Sequence, residues 1–183
     1  MILIIMEAVD HIFRTEPRTF SKRFRKKFLP PFLVVSVILL YCLIRKNADG
    51  FFVIYGILGM GIFCSIYYFF ITRVEIHEVR IKEKSLTIIG YDLNKIWEEQ
   101  LDIDKCSIKF HTIPSRSRDP DYYLTLTTKS QKYHINQFSN WDYQILLNFF
   151  IEFKKIKKER IIMDEKYFVG YLEKKIAREL HDA

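Results

Sequence analysis

The chain has 183 residues, a net formal charge of +7 and a hydrophobic fraction of 49%. Its charge is unevenly placed: residues 1–72 hold nine Lys and Arg against four Asp and Glu, whereas residues 73–183 hold 20 against 18. A nucleic-acid-binding domain concentrates basic residues on the folded part that contacts phosphate. Because the longer, polar part of this chain is almost neutral, we expect no nucleic-acid partner.

Two apolar stretches without a charged residue, 28–44 and 51–72, dominate the first part of the chain. They contain 17 and 22 residues, and a helix needs about 20 apolar residues to cross a membrane. Since a short loop separates them, they predict a two-helix transmembrane hairpin inserted in a lipid bilayer. Pro30 and Pro31 are expected at the beginning of the first helix, where the missing N–H donor is tolerated.

Basic residues flank this predicted hairpin at its two outer ends. Eleven lie before the first stretch or shortly after the second, against two in the connecting loop, Arg45 and Lys46. By the positive-inside rule, the protein is multi-pass, with both termini in the cytoplasm. Seven of the eleven form a topology-determining segment within residues 1–27: Arg14, Arg18, Lys22, Arg23, Arg25, Lys26 and Lys27. This segment is also a candidate for contact with anionic lipid headgroups. The sequence leaves open whether translation starts at Met1 or Met6.

Small residues line the second apolar stretch and favour close approach of another helix. They are the helix-packing candidates Gly56, Gly59, Gly61 and Ser65. The short loop makes the first helix the expected neighbour, with a homo-oligomer contact as the alternative. Neither stretch contains an ionisable Asp, Glu, Lys, Arg or His, which transporters and channels place inside the membrane. The hairpin is therefore interpreted as an anchor.

Few side chains in the sequence suit catalysis, and we expect no enzyme. The three cysteines are scattered and are expected to be reduced, structural thiols: Cys42, Cys64 and Cys106. The five histidines have no metal-ligand spacing, so neither a metal nor a cofactor is expected. His111 or His134 with Asp102 or Asp104 is the remaining acid–base combination, but such strand positions usually face solvent.

From residue 73 onward, apolar residues alternate with polar ones, as in half-buried strands. Six or seven short strands are predicted around 74–76, 79–81, 86–88, 101–103, 108–110, 122–126 and 133–135. Turn-forming residues separate them at 83–85, 90–94, 114–120 and 129–132. Alternation with one polar face predicts an antiparallel sheet packed on one side.

An amphipathic helix is predicted after the strands, capped by Ser139 or Asn140. Its apolar positions have helical spacing: Tyr143, Leu146, Leu147, Phe150, Ile151 and Phe153. Its basic end is interpreted as a solvated helix terminus, with membrane contact as the alternative: Lys154, Lys155, Lys157 and Lys158.

A second helix is predicted over 164–181, with apolar residues on roughly one stripe. The stripe contains Tyr167, Phe168, Tyr171, Leu172, Ile176 and Leu180. It either packs back on the sheet or contacts a partner.

Four segments carry a resemblance to a known family: 85–90 (SLTIIG), 97–103 (WEEQLDI), the loop 114–120, and 141–153 (WDYQILLNFFIEF). With the hairpin, this layout resembles small bacterial membrane proteins that carry a pleckstrin-homology-like (PH-like) domain on the cytoplasmic side. The resemblance implies an α+β fold: a hairpin over 28–72, a PH-like sheet domain closed by an amphipathic helix over 73–160, and an additional helix over 161–183. It also implies the bacterial inner membrane and a binding role.

The loop 112–121 places Arg116 and Arg118 between two prolines. It is a candidate for an anionic headgroup or an acidic partner, with an ordinary inter-strand loop as the alternative. Tyr167, Tyr171 and the lysines of the basic helix end complete the lipid- or partner-binding candidates.

The main hypothesis is a non-enzymatic inner-membrane protein whose domain binds a protein or lipid headgroups. The alternatives are an immunity-type or accessory subunit of a membrane complex, and a membrane-bound enzyme.

Overall fold

The computed structural model describes residues 10–45, 50–113, 121–137 and 140–181. Two long apolar helices are accompanied by two antiparallel sheets and two further helices, which confirms the predicted α+β class. The chain divides into two compact units. Arg18–Val74 and Tyr91–Lys95 form one, called the hairpin unit here, and the other described residues form the sheet unit.

The elements of the described chain follow one another as two helices, a run of strands and two helices, with one strand at the front. In order they are β1 (His11–Arg14), α1 (Phe20–Ile44), α2 (Gly50–Thr72), β2 (Val74–Lys82), β3 (Ser85–Asp92), β4 (Lys95–Asp102), the 3₁₀ turn Ile103–Lys105, β5 (Ser107–Ile113), β6 (Asp121–Thr127), β7 (Lys132–Ile135), α3 (Tyr143–Ile156) and α4 (Met163–His181).

The strands form two sheets, with the orders β1-β2-β3-β4 and β5-β6-β7. The 3₁₀ turn separates them, and its fully buried Ile103 belongs to the core. The segments 74–76 and 79–81, predicted separately, belong to the single strand β2. Sequence periodicity identified most strands, but did not indicate this division into two sheets.

β1 is a strand that the sequence pattern did not predict. It pairs antiparallel with β2, so that Arg14 lies opposite Glu78. Its Phe13 is buried, and the ring lies 5.4 Å from that of Phe149 in α3. A strand this short carries too few positions for a periodic signal. Arg14 is therefore part of a strand, and α1 and α2 are inserted between two paired strands.

The first helix begins earlier than predicted, at Phe20. Pro30 and Pro31 lie inside α1, so the expectation that they mark its beginning is wrong. Each proline removes one N–H donor from the helical ladder, and long apolar helices tolerate such interruptions. As a result, the basic residues from Lys22 to Lys27 belong to the first two turns of α1.

The core of the sheet unit is built from the inward residues of both sheets and from α3. The fully buried residues of α3 include Leu146, Phe149, Phe150 and Phe153. α3 begins after Asp142, whose carboxylate accepts hydrogen bonds from the backbone N–H groups of Gln144 at 2.7 Å and Ile145 at 3.4 Å. The predicted cap at Ser139 or Asn140 is thus wrong: Ser139 lies outside the described residues, and the Asn140 amide donates to Glu75 at 3.0 Å.

A corner around Asn136 joins β7 to α3. Asn136 has a positive φ of 69°, a conformation that asparagine tolerates better than most residues. Its side-chain oxygen accepts from the backbone N–H groups of Asn140 and Trp141, both at 2.9 Å, and its amide donates to the Tyr122 carbonyl at 2.6 Å. The Trp141 indole N–H donates to the Ile76 carbonyl at 3.1 Å. These bonds fix where α3 begins.

α4 packs against the sheet unit. Its Leu172 is fully buried, and the Phe168 ring lies 5.8 Å from that of Tyr122. Lys175 Nζ donates to the Tyr143 hydroxyl at 3.1 Å and thereby joins α4 to α3. Of the two roles predicted for the α4 stripe, packing on the domain is observed for these residues.

Candidate functional site

Both helices of the hairpin unit expose apolar side chains over most of their length. Each is long and apolar enough to cross a membrane. In the most apolar 18-residue segment of each helix, the buried share is 0% for α1 and 11% for α2. The core helix of a soluble domain is mostly buried. α1 and α2 are therefore candidate membrane spans by length, composition and exposure.

Two of the predicted small residues lie where α2 approaches α1. A Cβ atom on Gly61 would lie 3.2 Å from the Phe32 ring, and one on Gly56 would lie 3.5 Å from a leucine methyl group of α1. A Cβ on Gly59 would meet nothing within 4 Å, and Ser65 is half-buried. The close approach therefore involves Gly56 and Gly61, while Gly59 lies away from α1.

Four phenylalanines at intervals of four residues form a ladder on one face of α1. The ring centroids of Phe20, Phe24, Phe28 and Phe32 are separated successively by 5.9, 5.2 and 5.1 Å. The first of them also contacts Phe69 of α2, at 5.6 Å in an edge-on geometry. This ladder is thus the side of α1 that faces α2.

Arg23, one of the predicted topology-determining residues, is buried at the base of the hairpin unit, with only 1% of its surface exposed. Its Nε donates to the Thr72 carbonyl at 3.0 Å and its Nη1 to the Arg18 carbonyl at 2.6 Å. Its Nη2 donates to the carbonyls of Arg73 at 3.1 Å and Leu93 at 3.0 Å. A guanidinium offers five donors in a rigid plane, and here it joins the start of α1, the end of α2 and the β3–β4 turn.

The β3–β4 turn is held by further bonds inside the hairpin unit. The Arg73 guanidinium forms a two-pronged ion pair with Asp92, and this hydrogen bonding holds the pKa of Asp92 below its usual value. The Leu93 N–H donates to the Arg73 carbonyl at 2.7 Å. The Phe20 N–H donates to the Asn94 side chain at 3.4 Å. The base of the hairpin is therefore a polar, hydrogen-bonded joint.

Three other basic residues of the same segment lie together on an exposed face of α1. Lys22, Arg25 and Lys26 line an open hollow of about 410 Å³ with Leu29 and Pro30. Side chains three and four residues apart share one face of a helix, and Lys22 has these spacings to Arg25 and Lys26. All three are exposed, whereas Arg23 is buried. The structure thus separates one buried arginine from a cationic outer face.

The basic end of α3 was interpreted as a solvated helix terminus, which is wrong for Lys154. Only 7% of Lys154 is exposed, and its Nζ lies 2.7 Å from the Glu165 carboxylate and 3.2 Å from that of Glu159. Burial lowers the pKa of Lys154, but hydrogen bonds to the two carboxylates outweigh burial and raise it. Lys154 therefore joins α3 to the start of α4.

The neighbouring lysines divide between internal and exposed positions. Lys157 donates to the Cys106 carbonyl, and its Nζ lies 2.7 Å from Glu159. Lys155 and Lys158 are exposed. Of the four predicted lipid- or partner-binding lysines, only these two present their charge mainly to solvent.

The two predicted tyrosines of α4 also differ in position. The Tyr171 ring lies 5.4 Å from the ring of Tyr122 and belongs to the packed side of α4. Tyr167 is 71% exposed, and Ile162 and Met163 beside it are exposed as well. The start of α4 therefore carries an apolar surface patch.

Polar side chains of the β5-β6-β7 sheet form a second surface cluster. The Tyr123 ring lies 5.1 Å from that of His111 and 5.7 Å from that of His134. His134 Nδ1 is 3.1 Å from the Thr125 hydroxyl, and burial lowers the pKa of His134, with His111 nearby adding to the effect.

Asp102 and Asp104, the predicted acid–base partners of His111 or His134, lie at the 3₁₀ turn. Asp102 caps this turn and pairs with Lys105 at 3.1 Å, while Asp104 bonds to Lys84 at 2.7 Å. Arg116 and Arg118 lie outside the described residues. Across the parts of the chain that the structure describes, no three His, Cys, Asp or Glu side chains are grouped to hold a metal ion.

No known family model matches this chain, and no curated protein matches it.

Proposed function

We propose that this chain is a non-enzymatic protein of the bacterial inner membrane. Its hairpin unit anchors it, and the sheet unit is a cytoplasmic PH-like domain that binds a protein partner or lipid headgroups. The observation that carries this proposal is the exposed apolar surface of α1 and α2. By contrast, the sheet unit buries its apolar residues in a core of its own. Tethering at a membrane raises the effective concentration of such a domain for other membrane components.

The pairing of β1 with β2 supports the proposed topology. β1 precedes α1 in the chain and β2 follows α2, yet the two strands are adjacent in one sheet. Because a sheet cannot be divided by a bilayer, both ends of the hairpin belong on the same side of the membrane. The positive-inside rule selects the cytoplasm.

The arrangement of the sheet unit supports the PH-like assignment. Sheets of four and three strands are followed by α3, which contributes several fully buried residues to the shared core. Two features depart from the expected layout: the hairpin enters between the first two strands, and α4 packs on the unit after α3.

The topology is tested with single cysteines in a variant whose three native cysteines are replaced by serine or alanine. Arg45→Cys places a thiol in the loop between the helices, and Lys158→Cys places one in the sheet unit. We expect a membrane-impermeant maleimide to label the first in intact spheroplasts and the second only after lysis. Labelling of Lys158→Cys in intact spheroplasts would overturn the orientation.

The binding role is tested by capture of the tagged full chain from its native membrane in mild detergent, with proteins and lipids identified by mass spectrometry. A stoichiometric protein, or enrichment of an anionic lipid that weakens with salt, supports the proposal. If neither is enriched above a detergent-solubilised control membrane protein, the proposed binding role is wrong.

An immunity-type or accessory subunit is the second candidate, favoured by the apolar patch of Ile162, Met163 and Tyr167. Hydrophobic residues exposed together often mark protein contacts. The double change Met163→Glu and Tyr167→Glu is expected to abolish capture of a stoichiometric protein, whereas Lys174→Glu on the same helix is not. Equal capture by both variants would remove this candidate.

A further inference from the structure

The geometry points to a specific site for the phosphate of an anionic phospholipid headgroup on the outer face of α1, formed by Lys22, Arg25 and Lys26 above Leu29 and Pro30. This inference rests on the proposed membrane insertion of the hairpin unit. It assigns one part of the proposed headgroup binding to a defined surface of the anchor itself.

The position of this site on α1 follows from the hydrogen bonds of Arg23. Its four carbonyl contacts fix the rotation of α1 at the base of the hairpin. With a rotation of roughly 100° per residue, Lys22 and Lys26 then lie on the side of α1 opposite the phenylalanine ladder. Arg25, three residues before Phe28, lies at the edge between the two sides. The ladder contacts α2, so Lys22 and Lys26 face away from α2. Arg25 lines the open hollow with them from its edge.

The composition of the hollow matches a lipid phosphate. Its three cationic side chains are exposed, and its floor is formed by Leu29 and Pro30, where the apolar part of α1 begins. Cationic groups next to an apolar helix surface place charge at headgroup level and apolar atoms at the level of the acyl chains. A water-soluble anion would use only the charged half of this surface.

The charge of the surrounding chain favours an anion. Between Arg18 and Val74 the sequence contains a single acidic residue, Asp49, in the segment that connects the two apolar stretches. Arginine binds phosphate oxygens through two parallel N–H groups, and lysine binds them as a point charge. One arginine between two lysines therefore suits a monoanionic phosphodiester.

The experiment measures lipid preference around the full chain. The protein is reconstituted in phosphatidylcholine bilayers containing either spin-labelled phosphatidylglycerol or spin-labelled phosphatidylcholine. The motionally restricted fraction of each probe is compared by electron paramagnetic resonance. Since a basic residue near the surface contributes on the order of fivefold in affinity, we expect the wild type to prefer phosphatidylglycerol by at least about threefold.

The triple variant Lys22→Gln, Arg25→Gln, Lys26→Gln should reduce this preference to near unity. Its matched control, Lys27→Gln, Arg45→Gln, Lys95→Gln, removes the same charge from the hairpin unit and should keep most of the preference. The charge-retaining pair Lys22→Arg, Lys26→Arg should keep it as well. In the wild type, 0.5 M salt should weaken the preference.

Four outcomes would overturn the inference: an unchanged preference in the triple variant, an equal loss in the matched control, no effect of salt on the wild type, or displacement of the lipid by millimolar inorganic phosphate at constant ionic strength. The last would assign the site to free phosphate. Resistance to carbonate extraction is measured on the same samples. A wild type that is extracted contradicts the proposed function, whereas an inserted wild type without lipid preference contradicts this inference alone.

Discussion

The hairpin unit and the sheet unit bury opposite kinds of side chain. In the sheet unit the large, fully buried side chains are aromatic or aliphatic, such as Phe149 and Phe153, and the charged residues lie mainly outside. In the hairpin unit the largest fully buried side chain is Arg23, while most apolar side chains of α1 and α2 are exposed. Water drives apolar groups inward, whereas lipid does not, and in lipid the unpaired backbone carbonyls at helix ends need internal donors. Burial in each unit therefore follows its proposed solvent.

The greatest loss of stability is expected when the polar joint of the hairpin unit is disrupted. Arg23→Ala removes the guanidinium donors from four carbonyl groups, although the Arg73 carbonyl keeps the Leu93 N–H. We expect the free energy of unfolding to fall by about 3–5 kcal/mol. The measurement is equilibrium unfolding of the purified full chain in mixed micelles of increasing dodecyl sulfate fraction. Arg25→Ala removes the same charge from the outer face and should change stability by less than about 0.5 kcal/mol. Comparable losses in both variants would show that the joint is not what stabilises the hairpin.

The second prediction concerns packing in the sheet unit. A Cβ on Gly90 would lie 2.6 Å from the Glu75 carbonyl oxygen and 2.6 Å from the Trp97 ring. Because a backbone atom blocks it, Gly90→Ala should cost about 2 kcal/mol of unfolding free energy. Gly170→Ala is the matched control: its Cβ would meet nothing within 4 Å. In the interior of α4 it should stabilise by about 0.5–1 kcal/mol. Thermal unfolding followed by circular dichroism distinguishes the two signs, and the same sign for both would contradict the packing described.

A smaller effect is expected from helix packing in the hairpin unit. Gly61→Leu must displace the Phe32 ring, because a Cβ at this position would lie only 3.2 Å from it. The change should cost about 1–2 kcal/mol in the same micelle titration. Gly59→Leu adds the same side chain on the side away from α1 and should be nearly neutral. If Gly59→Leu were the more damaging change, the packing of Gly61 on α1 would not be the contact that matters. The result would instead indicate a contact between copies of the chain through the face that carries Gly59.

The weakest effect is a pH dependence at the junction of α3 and α4. The hydrogen bond from Lys157, aided by Lys154 and opposed by burial, holds the pKa of Glu159 below its ordinary value of 4.5. A carboxyl group with a lowered pKa stabilises the fold above its ordinary pKa, and this stability is lost as pH falls through the folded-state pKa. Since the Glu159 side chain is 39% exposed, the contribution should be below about 1 kcal/mol.

This pH dependence is measured as the difference in unfolding free energy between wild type and Glu159→Gln. The difference should be largest at neutral pH and should shrink as the solution is acidified below pH 4.5. Glu173→Gln, an exposed change on α4, controls for the loss of one negative charge. A difference for Glu159→Gln that grows on acidification would contradict the assigned ion pairs.

Much of the fold was predictable because the hydrophobic patterns of its strands and helices repeat over many residues. Alternation from Val74 onward indicated most strands, and helical spacing indicated α3 and α4, since each pattern extends over many residues. β1 was missed because four residues carry little periodicity and because its partner strand lies beyond both helices of the hairpin unit. The cap of α3 was misplaced because Asn140 was already engaged by a distant carboxylate.

The candidate site was predictable only as a group of charges. Nothing in the residue types distinguishes Arg23 from Arg25, yet the first is buried against four carbonyls and the second lines the open hollow. Likewise, Lys154 and Lys158 are alike in the basic end of α3, but only Lys154 meets two carboxylates.

Local sequence was enough to establish the order of the parts: two long apolar helices, then a domain of strands and helices, with positive charge concentrated near the helix ends. These properties are sums over short windows and need no knowledge of distant contacts. Tertiary contacts were needed to decide which basic side chain is buried and which glycines meet a neighbouring helix. They also showed that a strand preceding the hairpin in the chain pairs with a strand that follows it. Each depends on atoms far apart in the chain, and only folding brings those atoms within hydrogen-bonding or van der Waals distance.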